Sequence, residues 1–377
     1  MESIAGRTTL GGPVIAVSAA RRRITPVKWW AAVGASFLAL IVYLVVAWIA
    51  SGDAKRTPTG ADPVPRWMHM VGIVAQIAAP AIAVGVLYWF VIRPLRRKGR
   101  ISFDGLLALA TATVYWQDPL AMYTQPYAAY NADLVNLGSW AMHIPGWQAP
   151  NMDRFAEPLL FAPPVFLCIF LIGSIQANVL MRRVKGRWPS TGNVGLIALC
   201  FGFMALSVLI YEGLFVRLGL YHYGGVPGPK LFGGSHYQYP MVEVPLMAAP
   251  WTAFACLRYF RDEKGHSVVE RGIDRLRTGA KRKTGLRFLA VTGICNVIFL
   301  IGYNIPAQWI GTHANWIDDV VERSYFTNGI CGPGTAYACP GPGVPIARPD
   351  SAHLDPDRRL VSPSVGGPTN SGIRRPQ

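Results

Sequence analysis

The feature that most constrains this chain is a series of long apolar stretches separated by short clusters of basic residues. Seven stretches fall near 29–50, 67–92, 102–117, 158–180, 193–216, 240–259 and 286–308, each close to the ~20 residues an α-helix needs to cross a bilayer core. In hydrocarbon a spanning segment must satisfy its own backbone N–H and C=O groups, so each stretch reads as a helix. The expected fold is therefore all-α: a polytopic transmembrane bundle over 29–310, with an N-terminal tail 1–28 and a C-terminal tail 311–377. A composition of 51% hydrophobic and 15% charged residues belongs to that class. The net charge of +16 raises the question of nucleic acid, but the basic residues flank the apolar stretches and form no aromatic-interleaved patch. They carry topology information instead, and no nucleic-acid partner is expected. Arg21, Arg22 and Arg23 before the first stretch resemble a secretion signal, yet that stretch is long and lacks a convincing small-residue cleavage site, so it reads as a retained signal anchor.

The same basic residues set the orientation. Five lie in 1–28, five in 93–100, four in 182–187 and ten in 258–287, against three, one and two in the alternate connections 51–66, 118–157 and 217–239. The rich group is expected in the cytoplasm of a plasma-membrane protein, and the odd helix count then exports the tail. Within that tail Cys331 and Cys339 flank a glycine- and proline-containing loop, and an oxidising compartment favours a disulfide there over two free thiols or a metal site short of ligands. Beyond Pro340 the tail is rich in Pro, Gly, Ser and Arg, a composition of disorder. In 261–285 Val268, Val269, Ile273 and Leu276 recur at helical spacing among arginines, which predicts an amphipathic helix on the anionic cytoplasmic leaflet. No internal repeat is visible, and that weighs against inverted-repeat transporters.

The acids are distributed unevenly. Asp118, Glu157, Glu212 and Glu243 fall at or near the outer ends of apolar stretches, whereas Asp104 sits at an inner end. The four outer carboxylates are the candidate catalytic residues, expected to converge on one outward-facing cavity. Asp118-Pro119 and Glu157-Pro158 also read as helix starts, an acid at the cap and proline in the first turn. Asp104, two residues after Ser102, reads as a helix-dipole partner. Glu212 lies inside an apolar run, where an ionisable group costs ~2.5 kcal/mol or more and is a functional candidate by default. Its structural alternative is an ion pair with Arg217, poorly placed at i+5 on a regular helix. Glu243 stands between Pro240 and Pro245, in a distorted helix start whose freed carbonyls can line a cavity.

The segment 115–150 is too aromatic for a solvated loop. Trp116, Tyr123, Tyr130, Asn131, Trp140 and Trp147 are read as a folded cap over the cavity (118–157) and as candidate substrate-binding residues, the alternative being an aromatic belt at headgroup level. His222 and His236 lie in a tyrosine-rich loop, but two histidines thirteen residues apart with no third ligand fall short of a metal site, and none is expected.

The run Trp116-Gln117-Asp118-Pro119, the Tyr130-Asn131 pair, Gly138-Ser139-Trp140, Pro145-Gly146-Trp147, Glu157-Pro158-Leu159-Leu160 and Asn328-Gly329-Ile330-Cys331-Gly332-Pro333-Gly334 together resemble the AveC-like spirocyclase family of actinobacterial membrane proteins, over roughly 30–345. The resemblance implies closure of a dihydroxy-ketone polyketide intermediate into a spiroketal, in some versions with dehydration, a reaction that uses no redox cofactor. It carries over no catalytic residues. The carboxylates suit such chemistry: a carboxyl group desolvated among apolar side chains holds its proton and acts as acid, while a better solvated carboxylate steadies the oxocarbenium ion and takes the second proton. The expected partner is a hydrophobic, polyketide- or lipid-like small molecule. A non-enzymatic lipid transporter or accessory membrane protein is the rival reading. Polyketides are made in the cytoplasm whereas these acids face outward, so the substrate reaches them laterally from the membrane, the site lies elsewhere, or the substrate is an exported lipid.

Overall fold

The computed structural model describes residues 25–362, and all seven apolar stretches are helical within it. Most of the expected N-terminal tail lies outside the described residues. Pro26 opens α1 (Pro26–Ala50) at a position where its missing N–H costs no hydrogen bond. α2 (Arg66–Leu87) runs through a π turn, Tyr88–Ile92, into α3 (Arg93–Lys98), and Gly99 ends the rod in the left-handed conformation. α4 (Phe103–Ala112) starts at Ser102, whose hydroxyl accepts from Gly105 N at 3.2 Å, so Asp104 sits in its first turn. Beyond it follow α5 (Ala162–Arg187), α6 (Asn193–Arg217), α7 (Glu243–Tyr259) and α8 (Ala280–Phe299), the last continuing through a π turn, Leu300–Asn304, into α9 (Ile305–Thr312).

Five of these rods, α1, α2–α3, α5, α6 and α8–α9, are long and apolar enough to cross a membrane. The shorter α4 and α7 lie inside the bundle, α4 against α5 and α8 and α7 against α5 and α6. Leu106, Leu107 and Ala108 of α4 and Phe254 and Ala255 of α7 are accordingly fully buried.

Small residues and polar ties hold the rods together. α1 and α8 touch backbone to backbone: a Cβ on Gly34 would stand 1.9 Å from Leu289 O, and one on Gly293 would stand 2.4 Å from Trp30 O. Such close approach substitutes packing for the hydrophobic drive that lipid does not supply. At the end carrying the basic loops, Arg258 of α7 makes a bidentate pair with Asp104 (3.0 and 2.9 Å) and bonds Asn178 of α5 at 2.9 Å. Asp104 thus complements the α4 dipole and neutralises Arg258 together.

The segment 261–285 departs from the expected amphipathic helix. Only its end, from Ala280, is α-helical; before that it makes short 3₁₀ turns at Val268–Glu270 and Ile273–Arg275. Gly265 and Gly272, both at positive φ, break the helical path. Val269 and Ile273 are buried in the protein core, and Glu270 is buried in a pair with Arg287 at 2.6 Å. The helical spacing of these apolar residues therefore reflects packing onto the bundle.

Opposite this end, a cap is formed by 123–161 with later segments. Strand β1 (Ala128–Tyr130) pairs antiparallel with β2 (Tyr221–Tyr223), just after α6, and β3 (Lys230–Leu231) pairs with β4 (Tyr239–Pro240), just before α7. The stretch 313–362, expected to be a largely disordered tail, carries α10 (Asp318–Val321) and α11 (Ser324–Thr327) and lies on this cap. Trp316 Nε1 donates to Pro126 O at 2.9 Å, Asn328 Nδ2 to Tyr130 O at 3.0 Å and Arg348 Nη1 to Thr124 O at 2.7 Å. Trp316, Val320, Phe326 and Ile330 are buried in the core, and side-chain anchors and backbone bonds order the part beyond Pro340, whose composition is poor in large apolar residues. Cys331 and Cys339 are joined, their Cα atoms 4.8 Å apart.

Candidate active site

After Ala112 the backbone of α4 tightens into a 3₁₀ helix, Thr113–Met122. At three residues per turn, positions i and i+3 eclipse, so Tyr115 and Asp118 fall on one edge. That edge meets Glu157. Asp118-Pro119 therefore lies inside this helix instead of starting one, and Glu157-Pro158 precedes α5 by a turn, with Pro158 bridged to Asn136. Neither acid is a helix cap.

Two carboxylate pairs result. In the first, Glu157 is fully buried and accepts from Tyr115 Oη at 2.8 Å, its other oxygen having no partner. Burial, reinforced by the neighbouring Asp118, pushes the Glu157 carboxyl well above its ordinary value. Asp118 is half-buried and faces Glu157 and the Tyr130 hydroxyl. In the second pair, Glu212 of α6 is 9% exposed and its Oε2 accepts from Tyr223 at 3.1 Å and from Tyr239 at 3.2 Å. Glu243, at the start of α7, is fully buried and neither of its oxygens has a hydrogen-bond partner; the Tyr127 and Tyr303 hydroxyls, 3.4 Å from each other, adjoin it. The ion pair with Arg217, the structural alternative for Glu212, is not formed, because the Arg217 guanidinium stands 4.2 Å over the Tyr237 ring.

Between the pairs lies a cavity of about 130 Å³. Asp118 and Glu212 line it; Glu157 and Glu243 stand behind them. Strand alternation supplies the rest of the polar wall. Tyr130, Tyr221 and Tyr223 point to one face of the β1–β2 pair and into the cavity, while His222 points to the other face. The Leu300–Asn304 π turn inserts an extra residue into the α8–α9 rod, and it carries Tyr303 to the cavity. Phe166, Phe170, Trp251 and Phe299 close the apolar side.

Of the six residues expected to bind substrate, Tyr130 alone lines this cavity. Trp116 Nε1 donates to Asn296 Oδ1 at 2.8 Å, Trp140 Nε1 to Trp116 O at 2.8 Å and Trp147 Nε1 to Ala149 O at 2.8 Å. Tyr123 Oη donates to Gly146 O at 2.7 Å, and Asn131 Nδ2 to Gly219 O at 3.0 Å. These five make structural bonds, Trp116 to α8 and the other four within the cap or from the cap to its edge. The tyrosines at 127, 221, 223 and 303 are the residues that sequence reasoning did not assign. The signal for 221 and 223 was their two-residue spacing around a histidine; Tyr303 had none beyond its place in an apolar run. His222 and His236 both lie against Phe326. His222 is fully buried, donates from Nε2 to Phe326 O at 3.1 Å and is pushed down to about 3 by burial, so it is neutral, while His236 pairs with Asp319 at 2.9 Å. Among the described residues no group of three or more His, Cys, Asp or Glu side chains is placed to hold a metal ion.

The arrangement defines a class: a helical bundle, five rods of which are long and apolar enough to cross a membrane, enclosing a tyrosine-rich chamber with two carboxylates at its wall. Residues 98–326 match the family described as spirocyclase AveC-like, and as the match covers more than half of the chain, the protein belongs to that family. The matched region holds all four carboxylates and leaves α1 and α2 outside. No curated protein and no solved structure matches the chain.

Proposed function

We propose that this chain is a membrane-embedded cyclase that closes a hydroxyl-bearing ketone of a hydrophobic, polyketide-like molecule into a spiroketal by acid–base catalysis. The observation that carries the reading is the meeting of Asp118 and Glu212, from two different elements, at one aromatic chamber. Family membership supports spirocyclisation as the reaction class.

The steps balance without an oxidant or reductant. One substrate hydroxyl adds to the ketone to give a hemiketal. Glu212, in its carboxylic acid form, gives a proton to the hemiketal hydroxyl; the C–O bond breaks and water leaves an oxocarbenium ion. Asp118, half-buried and ionised, stands by the cation; the second hydroxyl attacks the same carbon and its proton passes to Asp118. The net change is loss of one water, and proton exchange between the two acids resets the site. Tyr223 and Tyr239 fix the Glu212 carboxyl by hydrogen bonds, and aromatic faces favour the cation. Glu157 and Glu243 keep each working acid beside a second buried carboxyl group, which resists a second negative charge close by.

In this reading the bundle lies in the plasma membrane with the basic loops in the cytoplasm and the chamber toward the outer side. The test compares lipid extracts of a strain lacking the protein with those of its parent. The reading expects the deletion strain to accumulate a hydroxyketone heavier by one water than the parent's product, and purified protein to convert the one into the other. Extracts whose compounds differ only in location, with no change of mass, would support the transporter reading instead.

A further inference from the structure

A second cavity, of about 540 Å³, lies between α2, α5 and α6. Its lining is apolar apart from Tyr211, with Val74, Ala75, Ala78 and Ala79 contributed by α2. On the same stretch of α2, Val74 and Ile77 are among the most exposed large apolar residues of the chain. The cavity is thus a groove on a face that an apolar medium must cover. It also shares Phe161, Val165, Ile169 and Phe215 with the acid chamber, so one layer of side chains separates the two. At the head of that layer the Phe161 and Phe215 rings meet edge to face, centroids 5.3 Å apart.

Size decides what the groove is for. A cavity near 150 Å³ holds a benzene-sized guest, so the chamber, at about 130 Å³, takes one ring-sized fragment and no more. The remainder of any longer substrate must pass through a chamber wall, and the wall shared with the groove is wholly apolar. We infer that the groove between α2, α5 and α6 is the binding site for the hydrocarbon chain of a membrane-dissolved hydroxyketone, whose reacting end reaches Asp118 and Glu212 between Phe161 and Phe215. This rests on the reading of the chamber as the reaction site. A substrate held this way arrives laterally from the bilayer with its chain in apolar surroundings throughout. Phe215 lies three residues after Glu212, about one helical turn along α6, so displacement of its ring opens the wall beside the proposed acid.

The experiment uses the full chain in phosphatidylcholine vesicles and a long-chain dihydroxyketone carrying a photoreactive diazirine near the end of its alkyl chain. Crosslinks are expected on α2 between 70 and 82 and at Phe215, and excess unlabelled dihydroxyketone should suppress them. Ala79→Trp, which fills the groove, should weaken labelling ~10-fold or more, the fold-change equivalent of an overpacking penalty. Ala75→Leu, a smaller filling for use if the Trp variant fails to fold, should weaken it in the same direction. Labelling should persist in Asp118→Asn, because binding of the chain precedes chemistry. Crosslinks that resist both the competitor and the filling variants, or that fall only on the cap, would overturn the inference. Labelling and product formation are read separately: groove labelling with undiminished product formation by Asp118→Asn would sink the role of Asp118 as base alone, and absent groove labelling with lost product formation would sink the groove alone.

Discussion

Glu212→Gln separates chemistry from packing better than any other substitution in the chamber. Glu212 Oε2 accepts from both Tyr223 and Tyr239, and a Gln carbonyl oxygen can keep both bonds at nearly the same shape. The fold cost is then that of seating an amide NH₂ where an acceptor stood, ~1–3 kcal/mol if it finds no partner. Glu212→Leu, by contrast, abandons two tyrosine hydroxyls in a buried site at ~1–3 kcal/mol each. General acid–base catalysis is worth ~10²–10⁴ in rate, or about 3–5 kcal/mol of transition-state stabilisation. The Gln variant should therefore keep an unfolding temperature close to the parent's in detergent and still bind the photoreactive dihydroxyketone, while product formation drops by two to four orders of magnitude on the scale just given. A well-folded Gln variant that forms product at the parent rate would refute the assignment of Glu212 as the acid.

Reporter fusions near 98, 185 and 275 should report the cytoplasm, and those near 140, 230 and 340 the outside; a cytoplasmic signal at 340 would overturn the orientation drawn from the basic residues. Cys331 and Cys339 should resist alkylation until reductant is added, and Cys331→Ser should cost ~2–3 kcal/mol by freeing a short closed loop, read as a lowered unfolding temperature. Arg258→Gln leaves the partly buried Asp104 without its bidentate partner, and a loss of ~2–4 kcal/mol in thermal unfolding is expected; no loss would place that pair among inconsequential surface contacts. Burial raises the Glu157 carboxyl above its ordinary 4.5, so the folded state holds a proton there that the unfolded chain releases as pH rises from about 4.5 toward the raised value. Stability should fall across that window, and Glu157→Gln, which has no such proton, should flatten the fall; an unchanged pH profile of unfolding would contradict it.

The helices were legible in the sequence because lipid imposes one solution on an apolar run, and all seven runs are helical. Glu212 was legible for the same reason: a carboxylate inside such a run stands out against its surroundings. What escaped was decided by register and by contacts remote in sequence. A helix of 3.6 residues per turn would not eclipse Tyr115 and Asp118, and nothing local in Thr113–Met122 announces the 3₁₀ path that does. Tyr221 and Tyr223 face the chamber only because they pair with 128–130, nearly a hundred residues away in sequence. Trp116, Trp140 and Trp147 stand out as aromatic residues in a loop, yet each spends its indole N–H on a structural bond, to Asn296 of α8, to Trp116 O and to Ala149 O respectively. Near Val269 and Ile273 helical spacing recurred by coincidence with turns that bury the same residues.

The cap gives physical reason for this assembly. An oxocarbenium ion is trapped by any water that reaches it, so a site that must expel one water and admit no other needs a closed roof while the second hydroxyl attacks. The roof over Asp118 is β1 and its flanking loops, bonded beneath to α9 where Thr124 N donates to Gln308 Oε1 and Gln125 Nε2 donates to Gly311 O, both at 3.2 Å. They are held from the other side as well: Trp316 ties Pro126, Gly224 N donates to Tyr127 O at 2.7 Å, Asn328 ties Tyr130, and Arg348 ties Thr124. Each tie engages a backbone carbonyl within 124–130, the segment that carries Tyr127 and Tyr130. Bonds to backbone fix position without using the side chains, which leaves the Tyr130 hydroxyl to Asp118 and the Tyr127 hydroxyl to Tyr303. In the proposed reaction, the segment beyond α9 would thereby help to shield the chamber from water, through Trp316 and Asn328 and, past Pro340, through Arg348.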